Sequence, residues 1–193
     1  MKLADCAEIT TGHPFRSRIA ALPGSGTVAV QMKDVSSYGD ILWTFATETQ
    51  PVTVSPAWLE DGDILLAARG NQNRAVLVKN PPKSLAAPHW YVIRCHDNKL
   101  LPAFLVWQMN RKPAQNWFRR ESTGTATRNL RQESVANLEI AVPPLEEQRR
   151  IIAIAEAARK EREICERLMT ATETLNDGLA RRLLKSTRNR KVS

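Results

Sequence analysis

The chain is poor in the residues that build metal centres and disulfide frameworks. Its three cysteines, Cys6, Cys95 and Cys165, lie far apart among 193 residues. An odd, scattered set of this kind suits a reducing cytoplasm better than a cross-linked secreted domain. The histidines His13, His89 and His96 have no cysteine or histidine neighbour at a zinc-ligand spacing, so no metal site is expected. No apolar run approaches the ~20 residues needed to cross a bilayer. The opening residues Met1 to Cys6 carry no secretory hydrophobic segment, so a cytoplasmic location without a membrane partner is expected. Proline is absent after Pro144, and Gly178 is the only glycine beyond it.

Catalytic signatures are also missing. There is no phosphate-binding glycine loop, no His-Glu-x-x-His pair and no nucleophile elbow. Asn80-Pro81-Pro82 resembles the start of the Asn-Pro-Pro-aromatic loop of adenine methyltransferases. In that loop the aromatic stacks on a flipped base, but position 83 is lysine and no cofactor-binding glycine turn precedes it. The tripeptide reads better as a turn. Asp97-Asn98-Lys99 fits a loose nuclease pattern, yet such a site needs further carboxylates around an ion. Asp61 and Asp63 are candidates only by default, and Asp61-Gly62-Asp63 is itself better explained as a turn. The chain is therefore read as non-catalytic.

What the chain has is positive charge and a change of texture. A formal net charge of +8 favours a polyanion, whether DNA, RNA or an acidic membrane surface. Up to Pro143-Pro144, short apolar runs alternate with Gly, Pro, Asn and Ser. Strands are expected at Thr27–Met32, Ile64–Ala67, Ala75–Val78, Trp90–Ile93 and Leu138–Val142. Pro102 opens a helix through Met109, and Pro113 is expected to end it before a short helical turn carrying Trp117 and Phe118. Trp43, Trp58, Trp90, Trp107 and Trp117 are scattered and assigned to the core.

Past the prolines the sequence reads as one long helix. Glu146 and Glu147 suit its start, and Arg181, Arg182 and Lys185 its end. Glu146/Arg150, Glu156/Lys160 and Glu163/Arg167 are spaced i,i+4 in the favourable direction. An apolar seam runs through Ile151, Ile154, Ala158, Cys165, Leu168, Leu175, Leu179 and Leu183. Steps of three, four and seven suit packing against another helix, although Glu161, Thr172 and Arg182 interrupt it. A helix folded back on its own domain is the alternative. The expected class is α+β: a mixed α/β domain over 1–144, a coiled-coil helix over 145–186 and a basic tail over 187–193.

Two polar clusters fall where loops are expected. Arg69-Gly70-Asn71-Gln72-Asn73-Arg74 separates two strands, and Arg, Asn and Gln are the side chains that pair bidentately with guanine and adenine edges. A merely solvated hairpin is the other reading. The stretch Arg119 to Arg131 holds Arg119, Arg120, Arg128 and Arg131, with Ser122, Thr123, Thr125, Thr127 and Asn129 between them. Arginines and small hydroxyl residues around a glycine suit phosphate contacts. Lys33, Arg16 and Arg18 are weaker candidates.

This second stretch also carries a resemblance. Ser122-Thr123-Gly124-Thr125-Ala126-Thr127-Arg128-Asn129-Leu130, followed by Leu138-Glu139-Ile140-Ala141-Val142-Pro143-Pro144-Leu145-Glu146-Glu147-Gln148, resembles the end of a target recognition domain of type I restriction-modification specificity subunits. Leu3…Glu8-Ile9-Thr10-Thr11-Gly12 and Gly62-Asp63-Ile64-Leu65-Leu66-Ala67-Ala68-Arg69-Gly70 add supporting matches in order. The resemblance implies double-stranded DNA recognition without catalysis. It also implies methyltransferase subunits that carry S-adenosylmethionine, restriction subunits that join the complex, and no cofactor on this chain. The usual subunit has two recognition domains joined by two antiparallel helices, whereas this chain has one of each. A half-length subunit acting as a homodimer on inverted half-sites is the expectation. A stand-alone DNA-binding regulator and a non-catalytic scaffold of a defence complex are the alternatives.

Overall fold

The computed structural model describes residues 1–15, 18–50, 57–70, 72–124 and 128–190, with residues 185–190 as backbone only. The chain divides into two compact units, Met1–Ile152 and Ala153–Ser193. In chain order the first unit holds β1 (Ala7–Thr11), β2 (Val28–Val30), β3 (Thr47–Glu48), β4 (Ile64–Ala67), β5 (Ala75–Leu77), β6 (Ser84–Ala86) and β7 (Trp90–Cys95). Helices α1 (Pro102–Met109), α2 (Lys112–Glu121) and α3 (Gln132–Ala136) follow, and then α4 (Leu145–Arg190), which continues through the second unit.

Strands β1, β7, β4 and β5 form an antiparallel sheet in that order. A smaller sheet has the order β3-β2-β6, with β2 antiparallel to β3 and parallel to β6. All four residues of β4 are buried because the larger sheet is covered on both faces. Ile64 and Leu66 join Tyr91, Ile93, Phe104, Leu105, Met109, Phe118 and Leu130 in the main core. Their neighbours Leu65 and Ala67 point the other way, towards Val30, Val76, Val78 and Trp90. A continuous apolar run is the sequence mark of a strand buried on both sides. Trp90 ties the second core together, its indole N–H donating to the Val30 carbonyl at 3.1 Å.

The proline expectations divide. Pro102 stands at the first position of α1, as expected. Pro113 does not merely end a helix; it lies in the first turn of the ten-residue α2, where its missing N–H costs nothing. The alternating segment Leu138–Val142 is not a strand. Only Glu139 pairs, with Lys2, because its partner is the short segment Met1–Leu3: Leu3 N–H donates to Leu138 O and Ile140 N–H to Met1 O, both at 2.9 Å. Leu138 and Ile140 still face the core, so the alternation reflects burial without a ladder.

The turn and loop residues are used structurally. Asp63 is buried and receives Arg94 on both carboxylate oxygens, at 2.7 and 2.8 Å. Asp97 accepts the Lys99 N–H, and Asp61 accepts the N–H of Asn80, whose backbone is left-handed. Among the described residues no group of three or more His, Cys, Asp or Glu could hold a metal ion. No described helix is long and apolar enough to cross a membrane.

Pro143 and Pro144 lead into α4 through Gln148, whose side chain is fully buried. Its amide N–H groups donate to Lys99 O and Pro143 O, both at 2.7 Å, and its carbonyl accepts the Leu101 N–H at 2.9 Å. Ile151 and Ile152 pack on the main core. The first two turns of α4 therefore belong to the first unit. The helix runs through Arg190, into the stretch expected to be a basic tail.

Candidate nucleic-acid interface

The two polar clusters, remote in sequence, are joined by main-chain hydrogen bonds. The β4–β5 connection carries Arg69 and Gly70, and the α2–α3 connection carries Arg128 and Asn129. Arg69 and Asn129 form an antiparallel bridge. On either side of it, Gly70 N–H donates to Arg128 O at 3.1 Å and Leu130 N–H to Ala68 O at 2.9 Å. Thr123 and Asn129 exchange two more bonds, at 3.1 and 2.9 Å, which close the second loop on itself. Beneath it the buried Tyr91 hydroxyl donates to Leu130 O at 2.8 Å. Gly70 and Gly124 adopt positive φ values of 110° and 108°, where a side chain would be strained.

This zipper gathers Arg69, Gln72, Arg128, Asn129 and Arg131 at exposed positions of adjoining loops. Arg119 and Arg120 lie on the last turn of α2, at the entry to the second loop, and are also exposed. Arg119 reaches Asn116 at 3.3 Å, and Arg120 lies over the Trp117 ring at 5.6 Å. Their position at a helix C-terminus is electrostatically favourable in its own right.

A third loop meets the hairpin. Lys33 is exposed in a 3-10 turn, Met32–Asp34, whose buried Asp34 carboxylate accepts the Gln31 N–H at 2.8 Å. Arg74 donates to the carbonyls of Ser36 and Ser37 in the turn beyond. The Met32 methyl lies about 4.0 Å from where a Gly70 Cβ would stand. Phe45, 71% exposed, sits on a 3-10 turn just before β3, and nothing in its sequence surroundings marked it.

Two residues expected at the reading surface serve the scaffold. Asn73 is buried, and its side-chain amide donates to Ala67 O at 2.8 Å, closing the hairpin from inside. Arg74 is engaged by the carbonyls just named. Asn71 and Thr125, together with Thr127 and Arg16, lie outside the described residues.

Sequence reasoning missed the amide side chains that hold the hairpin. Asn110 pairs with Ala75 like an added strand residue, accepting its N–H at 3.0 Å and donating to its carbonyl at 2.8 Å. Gln115 donates to Asn73 O and Met109 O, both at 2.8 Å. Their only sequence signal was an amide next to a helix start. Gln108 likewise forms a two-way pair with Ala141.

On α4, beyond the first unit, Ile154 is 71% and Leu168 62% exposed, and Cys165, Leu175, Leu179 and Leu183 are exposed as well. Ala158 is half-buried. Ile151, expected on the seam, is instead drawn into the first unit's core.

The family model of the type I restriction modification DNA specificity domain matches residues 1–168. The chain belongs to this family. The specificity domain is similar in fold to an HsdS subunit from Thermoanaerobacter tengcongensis, with a TM-score of 0.61 and 17% identity over 86% of this chain and 38% of that one. A type I restriction-modification S subunit from M. genitalium gives a TM-score of 0.56 and 12% identity, over 81% and 37% of the two chains. A chain from a structure concerned with complex assembly and conformational transition of the type I R-M system gives 0.65 and 19%, over 90% and 41%. The specificity domain thus spans about two fifths of the solved chains it matches. No curated protein matches it.

Proposed function

We propose that this specificity domain reads double-stranded DNA through the surface formed by its joined loops, and directs a partner methyltransferase to the site. The observation that carries the reading is the Arg69–Asn129 bridge, which makes one basic surface from two clusters remote in the chain. Arg69, Gln72, Arg128 and Asn129 have the donor and acceptor groups that pair with guanine and adenine edges. Asn71, in the same loop by sequence, belongs with them. Arg119, Arg120, Arg131 and Lys33 ring these loops and suit phosphate contacts, as does Thr125. Asn73 and Arg74 hold the reading loops in place.

No chemistry is assigned to this chain. S-adenosylmethionine belongs on the methyltransferase, and restriction subunits join the complex. The exposed apolar side chains of α4 from Ile154 to Leu183 support self-association, which presents two copies of the reading surface to inverted half-sites.

Methylation mapping in cells with and without the gene tests the proposal. A methylated, inverted-repeat motif present with the gene and lost without it is the expected result. An unchanged methylome overturns the methyltransferase partnership and leaves a DNA-binding regulator. Binding without sequence preference, even with the methyltransferase present, removes the reading function altogether.

A further inference from the structure

We propose that Phe45, on a turn framed by Met32 and Leu42, reads the methyl group of a thymine in the major groove. This inference rests on the DNA-reading surface above and adds an apolar contact to its polar ones. Among the described residues of the first unit, Phe45 is the most exposed large apolar side chain. Met32 and Leu42 are exposed as well. Single exposed apolar side chains are ordinary on a protein surface. Three brought together at the edge of a basic surface make a contact patch.

Hydrogen bonds bring the three segments together. Leu42 N–H donates to Asp34 O at 2.8 Å, and Phe45 N–H donates to Leu42 O at 2.9 Å. At the other end the Gln31 side-chain amide donates to Thr47 Oγ1 at 3.0 Å. The stretch Leu42–Thr47 is thus tied at both ends to Gln31–Asp34, which carries Met32. Trp43 is turned inward: it packs on the second core, and its indole N–H donates to Lys79 O at 3.2 Å. Anchoring Trp43 fixes the turn while Phe45 stays in solvent. A contact side chain held on a rigid turn loses little freedom when it binds.

The patch is continuous with the reading loops. The Met32 methyl lies about 4.0 Å from where a Gly70 Cβ would stand, and Arg74 of the same hairpin holds the carbonyls of Ser36 and Ser37. Lys33 and Arg69, next in the chain to Met32 and Gly70, are exposed and cationic. The acids nearby are occupied or set apart. The buried Asp34 carboxylate accepts the Gln31 N–H, and Glu48 accepts the Gly24 N–H. Asp40 is exposed, but it pairs with Ser36 near the tip of the hairpin that the Val35–Ile41 bridge closes, beyond Leu42.

The chemistry of this edge selects one kind of contact. Arg69, Gln72, Arg128 and Asn129 suit the donors and acceptors of the major groove, where the apolar group that bases present is the thymine methyl. Phenylalanine is one of the side chains that meet it. Insertion of an apolar wedge between base steps belongs instead to proteins that bind and kink the minor groove.

The test uses the full chain with its methyltransferase and the duplex recovered by binding selection. Each thymine is replaced in turn by deoxyuridine, which lacks only the methyl group. The wild type is expected to lose about fourfold in affinity at one thymine of a half-site, the scale of one buried methyl group. Phe45→Ala should bind the thymine duplex at least about fourfold more weakly and no longer distinguish thymine from deoxyuridine there. Its unfolding midpoint should not move, because the side chain is exposed. Phe45→Leu, still apolar, should keep part of the discrimination.

Equal sensitivity to deoxyuridine in the wild type and Phe45→Ala overturns the contact, as does a motif without thymine. A wild type indifferent to deoxyuridine overturns it too, and a loss on Phe45→Ala then points to insertion. Release of the methyltransferase by Phe45→Ala with the motif retained makes the patch a protein-docking face, which also overturns it. Each of these results leaves reading by the joined loops standing. Wild-type binding without any sequence preference removes that reading and this inference together.

Discussion

Gln148 shows how much one side chain decides. Its fully buried amide makes three hydrogen bonds: two, with Lys99 and Leu101, tie the start of α4 to the segment before α1, and the third closes on Pro143. Replacing it with leucine strands the Leu101 N–H and the Lys99 carbonyl, at about 1–3 kcal/mol for each unsatisfied group. Gln148→Leu is expected to lower the unfolding free energy by about 2–4 kcal/mol in urea titration; a change within about 0.5 kcal/mol would remove the clamp from the account. The cysteines give a second prediction at this scale. Burial, with Cys6, Asp63 and Asp97 nearby, pushes the Cys95 thiol up to about 11, and burial chiefly raises Cys6 too. Cys165 is exposed, so iodoacetamide at pH 8 should label it first, Cys95 slowly and Cys6 only on unfolding. Labelling of Cys6 as fast as Cys165 would contradict this packing. Gln148 was visible in the sequence as the end of Pro-Pro-Leu-Glu-Glu-Gln, but its role was not. A polar residue's partners depend on which loops the fold brings to it, and here these come from positions 99 to 101.

Elements were legible where local pattern and final environment coincide. β4 reads directly as an apolar run because both its faces are covered. β3 and β6 did not, since two or three residues leave no periodicity to read. The segment from Leu138 misled because alternation records burial on one side and is silent on the length of the partner strand. Gly12 directly follows β1, and its missing side chain is needed: an added Cβ would stand 2.0 Å from the Ala87 carbonyl oxygen. Gly12→Ala must separate β1 from this backbone, and a loss of roughly 2–3 kcal/mol in thermal or urea unfolding is expected; an unchanged midpoint would disprove the close approach. The joined loops set a prediction about binding. Arg69→Ala and Arg128→Ala should relax sequence preference, whereas Arg119→Ala should weaken binding to specific and scrambled DNA alike and flatten its salt dependence. Equal losses for all three on both DNAs would refute the division. Both clusters were found in the sequence; their union was not, because the Arg69–Asn129 bridge spans residues with no local relation.

At the scale of the molecule, a basic α/β unit is followed by a long helix with an exposed apolar stripe, and the proposed function assigns reading to the first and pairing to the second. The net charge of +8 and the family match over residues 1–168 point to the same polyanion. Composition located the boundary at the prolines, yet the first unit extends to Ile152 because Gln148, Ile151 and Ile152 are anchored in it. The hydrophobic stripe was read as one seam, but its first residue serves the domain, Ala158 is half-buried and the others are exposed. Binding selection from random duplex DNA is the most direct test of the central claim, run with the methyltransferase present for the wild type and for Arg69→Ala/Arg128→Ala. The wild type is expected to enrich a two-part inverted motif, and the double variant to keep its fold and its methyltransferase but enrich no motif. The same motif recovered by both proteins would contradict it.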